Sequence, residues 1–411
     1  VTDPTPTAEG RSLVVTNIAE LVTNDPEGGD TFALIHDAAV AIVDGVVDWV
    51  GPSSRLPDHY GAHTMLDAGG RCVVPGFVDA HTHTVFAGDR ADEFARRLTG
   101  ATYEEILASG GGIFSTVDAT RKASFVDLMD QAMVRFRRML GSGSTTIEVK
   151  SGYGLTVESE VAMIAAARAI DMALPSDVVS TFLGAHVVAP EFRDDRNGYL
   201  DLVTGPMLDA VRGDVSFVDV FCDAAAFTVE EARRVCEAAY RAGLGFRIHA
   251  DQTARIGATA LAAEVGAASA DHIDHATDDD LERLAEAGTV AVLLPGVSFS
   301  MRTPPPDGRR VWDSGARVAI ATDCNPGTAY VETMPFMISL AVIQGGMTPG
   351  EAVWAATRGG ALALGLDDRG MIVPGAIGDL VIIDAPSHIH LAYRPDATIV
   401  ARVLKAGVVV A

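Results

Sequence analysis

Eight short runs of apolar and β-branched residues lie between Phe77 and Ala321, most of them separated by amphipathic helical stretches, and this alternation constrains the fold more than any other feature of the chain. The runs are Phe77–Ala80, Thr145–Lys150, Val178–Leu183, Phe217–Phe221, Phe246–His249, Ser269–His272, Thr289–Leu294 and Val318–Ala321. Helical stretches include Phe125–Leu140, Val157–Ala173, Thr228–Ala242, Ala258–Val265 and Asp278–Ala287. A helix between two strands carries the chain back across the sheet, so the second strand runs parallel to the first. Eight such units over about 250 residues predict an α/β fold, a (β/α)8 TIM-type barrel. The helix starts agree, because Thr228 and Thr277 each precede an acidic first turn and read as N-caps. An open doubly wound sheet competes, but no Gly-x-Gly-x-x-Gly follows a first strand and no Walker sequence is present. Gly110–Gly112 follows a helical stretch and reads as a loop over the barrel mouth.

Both ends of the chain have a different texture. Leu13–Val15, Ala39–Val43, Val46–Val50 and Cys72–Val74 are short β segments, and Asp44-Gly45 is a hairpin turn signal. The style returns at Leu380–Asp384, Ile399–Val400, Val403–Leu404 and Val408–Val410. The two ends therefore predict one small β-sandwich domain, dividing the chain into residues 1–72, 73–370 and 371–411.

Barrel enzymes carry catalytic groups at the C-terminal ends of their strands. At the first strand end, in the run PGFVDAHTHT from Pro75 to Thr84, His81 and His83 stand at i and i+2 and leave the strand on one face. Later strand ends supply Glu148, Lys150 and Tyr153, then His186, Asp219–Asp223, His249–Gln252, His272 and Asp323–Asn325. Three histidines and an aspartate from the first, fifth and eighth strands can converge on one ion, and a nitrogen-rich set with one carboxylate suits zinc, with iron as the alternative. Five of the 11 histidines fall at strand ends, which packing alone does not explain.

Charge narrows the partners. The net charge of −24 argues against nucleic acid and anionic membrane, and it makes any cation beside an anionic ligand conspicuous. Lys122, Lys150 and Lys405 are the only lysines, so few groups could form a Schiff base or a carbamate. Cys72, Cys222, Cys236 and Cys324 contain no CxxC spacing and suit reduced thiols. No apolar run approaches the roughly 20 residues of a membrane span, and the polar N-terminal stretch lacks a signal-peptide pattern. These features predict a cytoplasmic enzyme.

The strand-end residues resemble the amidohydrolase superfamily, whose members pair such a barrel with a small β domain from both chain ends. Within it, the stretch Pro75–Arg90 is similar to the imidazolonepropionase family. So are GGGI from Gly110, EVKSGYGL from Glu148, FLGAH from Phe182, SADH from Ser269, AVLLPG from Ala291 and ATDCNPG from Ala321. The likeness runs from about Gly70 to Gly370. It implies metal-dependent hydrolysis of the cyclic amide of 4-imidazolone-5-propanoate to N-formimidoyl-L-glutamate, in histidine degradation to glutamate. It further implies His81, His83, His249 and Asp323 as ligands of one Zn2+ or Fe ion per chain. Arg90, Tyr153, His186 and Gln252, with Tyr103 as a weaker match, correspond to substrate-binding positions. Asn325, Gly327 and Thr328 correspond to positions holding the product-like end, and Gln252 and His272 to positions beside the reacting centre; on chemical grounds Asp323 or His272 can carry the water's proton. A small anionic substrate and a homodimer are also expected.

Elementary chemistry is consistent with these roles. Arg90 can clamp the propanoate bidentately, its competing use being an ion pair with Asp89, Asp92 or Glu93. Two departures from the family matter. Some members carry Glu at position 252, and the amide of Gln252 cannot act as a base. Binuclear relatives carry a bridging lysine on the fourth strand, where this chain has none, so one metal is expected. Another amidohydrolase, such as a cyclic amidase or an aminoazine deaminase, is the rival enzyme. A non-catalytic assembly barrel is the rival from another class; such relatives typically lose their metal ligands.

Overall fold

The computed structural model describes residues 12–28, 32–100, 111–224 and 226–411. In chain order its strands are β1 (Leu13–Val22), β2 (Leu34–Val43), β3 (Val46–Pro52), β4 (Thr64–Pro75), β5 (Phe77–Asp79), β6 (Ser144–Lys150), β7 (Asp177–Ala185) and β8 (Phe217–Cys222). Then come β9 (Gly245–Ala250), β10 (Ser269–His272), β11 (Val290–Leu293), β12 (Val318–Ile320), β13 (Leu380–Ile383), β14 (Val400–Lys405) and β15 (Val408–Val409). Strands β5 to β12 lie in sequential order in one eight-stranded parallel sheet. This is the predicted barrel. Its helices start where the caps indicate: Thr228 and Thr277 form capping boxes with Glu231 and Asp280.

The strand patterns follow from having two buried faces. Ile147, Val149, Val218, Val220, Ile248 and Ala270 join the apolar layer shared with the helices. Their neighbours in the alternation, Glu148, Lys150, Asp219, Arg247, His249 and Asp271, project to the opposite, inner face and are all buried. The barrel seam between β12 and β5 is closed by site residues themselves. Asp323 N donates to His81 O at 3.0 Å, His83 N to Cys324 O at 3.0 Å, and Thr322 donates to both carboxylate oxygens of Asp79.

The chain-end strands form one hydrogen-bonded sheet of seven, in the order β15-β14-β13-β4-β1-β2-β3. The central β4 pairs parallel with β1 and antiparallel with β13, so it joins the two ends of the chain. It then runs through Gly76 directly into β5. Leu13, Val15, Ile18, Val40, Ile42, Val73, Leu380 and Leu404 are part of a separate apolar core there. Glu20 fixes the far side of the sheet by accepting from His388 at its backbone N (2.8 Å) and pairing with its Nδ1 (2.7 Å).

Candidate metal centre

Four buried side chains from the segment after β5, from β9 and from the turn after β12 face a common point. His83 and His249 turn Nε2 toward one another at 3.4 Å, while Asp323 Oδ1 lies 3.5 Å from His81 Nε2 and 3.4 Å from His83 Nε2. Metal–ligand bonds of about 2.0–2.1 Å in tetrahedral geometry put neighbouring ligand atoms about 3.3–3.4 Å apart. His81 Nε2 and Asp323 Oδ1 are buried and have no hydrogen-bond partner, which a bound cation would remedy. Burial holds His81, His83 and His272 well below the ordinary imidazole pKa, so they are neutral, the form that ligates. Two overlapping groups could hold an ion, His81–His83–His249 and His81–His272–Asp323. Burial raises the Asp323 carboxyl well above its usual range. The backbone at His272 (φ 72°) and Asp323 (φ 49°) is left-handed. Such strain costs about 1–3 kcal/mol per residue and is retained where it aims a side chain.

Beneath the histidines lies a charge network that joins the strand-end residues Glu148, Lys150 and Asp219 to Arg247 and Asp271. Asp271 Oδ2 pairs with His81 Nδ1 at 2.6 Å, and Asp219 Oδ2 lies 3.0 Å from His249 Nδ1, off the line of a good hydrogen bond. Lys150 Nζ sits 2.8 Å from Glu148 and 2.8 Å from Asp219, and Arg247 Nη2 is 3.0 Å from Asp271. All five side chains are 0% exposed. Burial pulls the Lys150 pKa down, but Asp219, Glu148 and Asp271 outweigh that and leave it raised. Burial likewise pushes Asp219 up, and His249 and Lys150 bring it well below the carboxylate range. Lys150 is thus a fixed cation with its carboxylates in place.

Loops above this floor are each stapled by an acid or amide. Glu160 accepts from the backbone N–H groups of Gly152, Gly154 and Leu155, fixing the turn that carries Tyr153. Gly152 O faces His186 Nδ1 at 3.1 Å; a side chain at Gly152 (φ +107°) would meet Leu183 O at 2.8 Å. With Nδ1–H donating to that carbonyl, His186 offers Nε2 as an acceptor, and burial lowers its pKa to about 3, so it stays neutral. Tyr153 and His186 pack against the His83 ring at centroid distances of 5.8 and 5.2 Å. Asp251 accepts from four successive N–H groups, Ile256 to Thr259, and so holds the loop after β9; Gln252 beside it is half-buried.

Arg90 stands at the N-terminus of the helix Ala91–Leu98. Its Nε donates to Glu93 at 2.8 Å, the ion pair expected as the alternative, while its guanidinium end rests on Gly327. A Cβ at Gly327 would meet Arg90 Nη1, the far end of a flexible side chain, so a side chain there would displace the guanidinium. Asn325 Oδ1 accepts from the backbone N of Gly327 and of Thr328, both at 2.8 Å, and its Nδ2 donates to Asp323 O and Thr328 Oγ1. The Asn325 amide is therefore committed to shaping this turn. Tyr103 lies outside the described residues.

A model of the Amidohydrolase family matches residues 72–410, and the chain belongs to that family. Within it, the chain is 50% identical to the imidazolonepropionase of Streptomyces griseus subsp. griseus, over 96% of this chain and 98% of that one. It is 47% identical to the imidazolonepropionase of Mycolicibacterium smegmatis, over 97% and 98%. Among solved structures, a triazine hydrolase variant superposes with a TM-score of 0.77 at 18% identity, covering 97% of this chain and 94% of that one. An adenosine deaminase from Xanthomonas campestris with bound zinc gives 0.73 at 18% identity, covering 97% and 92%. At that identity these structures bear on the fold alone. Family membership together with the histidine cluster gives this protein a metal cofactor. Among the described residues no helix is long and apolar enough to cross a membrane.

Proposed function

We propose that this chain hydrolyses 4-imidazolone-5-propanoate to N-formimidoyl-L-glutamate, using one divalent ion held by His81, His83, His249 and Asp323. The observation that carries the reading is the set of buried ligand atoms with edges of 3.4–3.5 Å beneath an arginine-bearing rim. Relatives named imidazolonepropionase, half identical over nearly the whole chain, supply the substrate. Charge supports a single ion: three carboxylates against Lys150 and Arg247 leave one negative charge. Zinc is the first choice for three imidazoles and a carboxylate, and iron accepts the same set. A cytoplasmic setting is supported by four free, buried cysteines.

When bound, the metal would lower the pKa of a coordinated water toward about 7 and polarise the ring carbonyl. The chain's own groups then do the rest. Arg90 holds the propanoate, and the Nε2 acceptor of His186 takes a ring N–H. The Gln252 amide orients the ring. Water oxygen bonds to the carbonyl carbon and the amide C–N bond breaks. The water's proton passes through Asp323 or His272 to the departing nitrogen. Tyr153 closes one wall of the site and excludes bulk water. Turnover of imidazolonepropanoate, assayed with elemental analysis of the same sample, tests the reading. It fails if metal-replete protein leaves this substrate intact, or if two metals are found per chain.

A further inference from the structure

Arg90 alone gives the rim no net positive charge. Its Nε is bound to Glu93 Oε2 at 2.8 Å, and the other Glu93 oxygen is held by Gly112 N at 2.9 Å and Ser115 Oγ at 3.0 Å. Glu93 is thus a fixed carboxylate, and the pair, with both side chains 14% exposed, is neutral overall. A neutral pair on a protein of net charge −24 is a poor lure for an anion.

We propose that Arg97 is a second carboxylate-recognising residue, and that it supplies the positive charge that Glu93 takes from Arg90. It stands four residues after Glu93 on the helix Ala91–Leu98, so the two share a face. Its Nη1 donates to Gly327 O at 3.4 Å. Arg90 packs on that same glycine, so two guanidinium groups meet one residue of the turn that also contains Asn325 and Thr328. Arg97 is half-buried and makes no ion pair among the described residues. Burial lowers its pKa, and Arg90 lowers it further while Glu93 opposes. Two like charges brought together without a carboxylate for the second are stabilised by an anion between them. A propanoate reaching up from a ring on the metal is such an anion.

The inference rests on the proposed substrate, so the experiment has separate arms. Steady-state kinetics on Arg97→Met should show KM raised at least tenfold, kcat changed by less than threefold, metal content unaltered and the salt dependence of KM flattened. Arg97→Lys should restore the salt dependence, since it restores the charge. Calorimetry with two unreactive probes, imidazole-4-propanoate and its uncharged propanamide, isolates recognition from turnover. Arg97→Met should weaken the propanoate at least tenfold and leave the propanamide unchanged. Equal weakening of both probes, or KM within twofold of wild type, makes Arg97 a brace for Gly327 and overturns the inference. Wild-type protein that binds the propanoate probe but does not hydrolyse imidazolonepropanoate overturns the substrate reading and leaves Arg97 to be judged by the probes. Wild type that binds neither probe overturns both.

Discussion

Around Lys150 every charged side chain is 0% exposed, comes from a barrel strand and meets at least one opposite charge; around Arg90 the charges are 14% exposed and come from a helix with no buried residue. The floor nets one negative charge, while on the rim Glu93 offsets Arg90 and Arg97 makes no ion pair among the described residues. A cation at the bottom and an anion at the top therefore both sit in favourable fields. That opposition orients a substrate whose carbonyl must reach the metal and whose carboxylate must not. Burying five ionic groups in a barrel costs stability that apolar residues would not, so the floor is better explained by what it holds than by the fold. The rim rests on fewer contacts, so its changes should alter substrate handling and leave the metal in place.

The largest break in this comparison is His249→Ala. It removes a floor nitrogen that faces His83 at 3.4 Å, and the protein should lose its metal and most activity while keeping its circular dichroism. Full activity with metal absent would defeat the ligand set. On the rim, Arg90→Met should keep the metal and lose about 2–5 kcal/mol of transition-state binding, read from kcat/KM. Arg90→Lys should recover only part, because an ammonium cannot make a paired contact. Values within about threefold for all three proteins would make Arg90 merely the partner of Glu93.

Asp271→Asn probes the floor at one remove. An amide cannot hold the His81 Nδ1 proton as the carboxylate at 2.6 Å does, and it leaves Arg247 without its close partner. Metal affinity should fall about 10–100-fold, measured by chelator competition, with the ligands themselves intact. Unchanged affinity would mean that His81 is oriented by packing alone and that the floor is structural.

The barrel was legible because its signals are local. The helix Val157–Ala173 and the strand Ser269–His272 match the sequence reading end for end, since period and capping are written within each segment. His81 and His83 were legible for the same reason: a two-residue spacing on a strand fixes a shared face. Arg247 and Asp271 were missed because a charge inside a buried strand has meaning only through its partner 24 residues away. A signal existed: Glu148 with Lys150, and Arg247 with His249, repeat the i, i+2 pattern that marked the first strand. Asn325 shows the reverse. It matches a ligand-holding position by likeness, and the structure spends its amide on the turn, which motif likeness does not disclose.

The smallest expected effect belongs to Gln252, which stands between floor and rim, half-buried after β9, with no hydrogen bond of its side chain among the described residues. An amide carries no titrating proton, so its contribution is orientation of the ring. Gln252→Ala should lower kcat/KM by about tenfold, about 1.4 kcal/mol, and leave the pH optimum where it was. His186 does not confuse the test, because its pKa of about 3 keeps it neutral on both sides of any working optimum. Metal content should not move either, since Gln252 is absent from both groups that could hold an ion. A pH–rate profile of wild type and variant decides the matter. If the acidic limb vanishes with the amide, Gln252 governs the titration of a neighbour, and the division between a floor that moves protons and a rim that only positions the substrate is wrong.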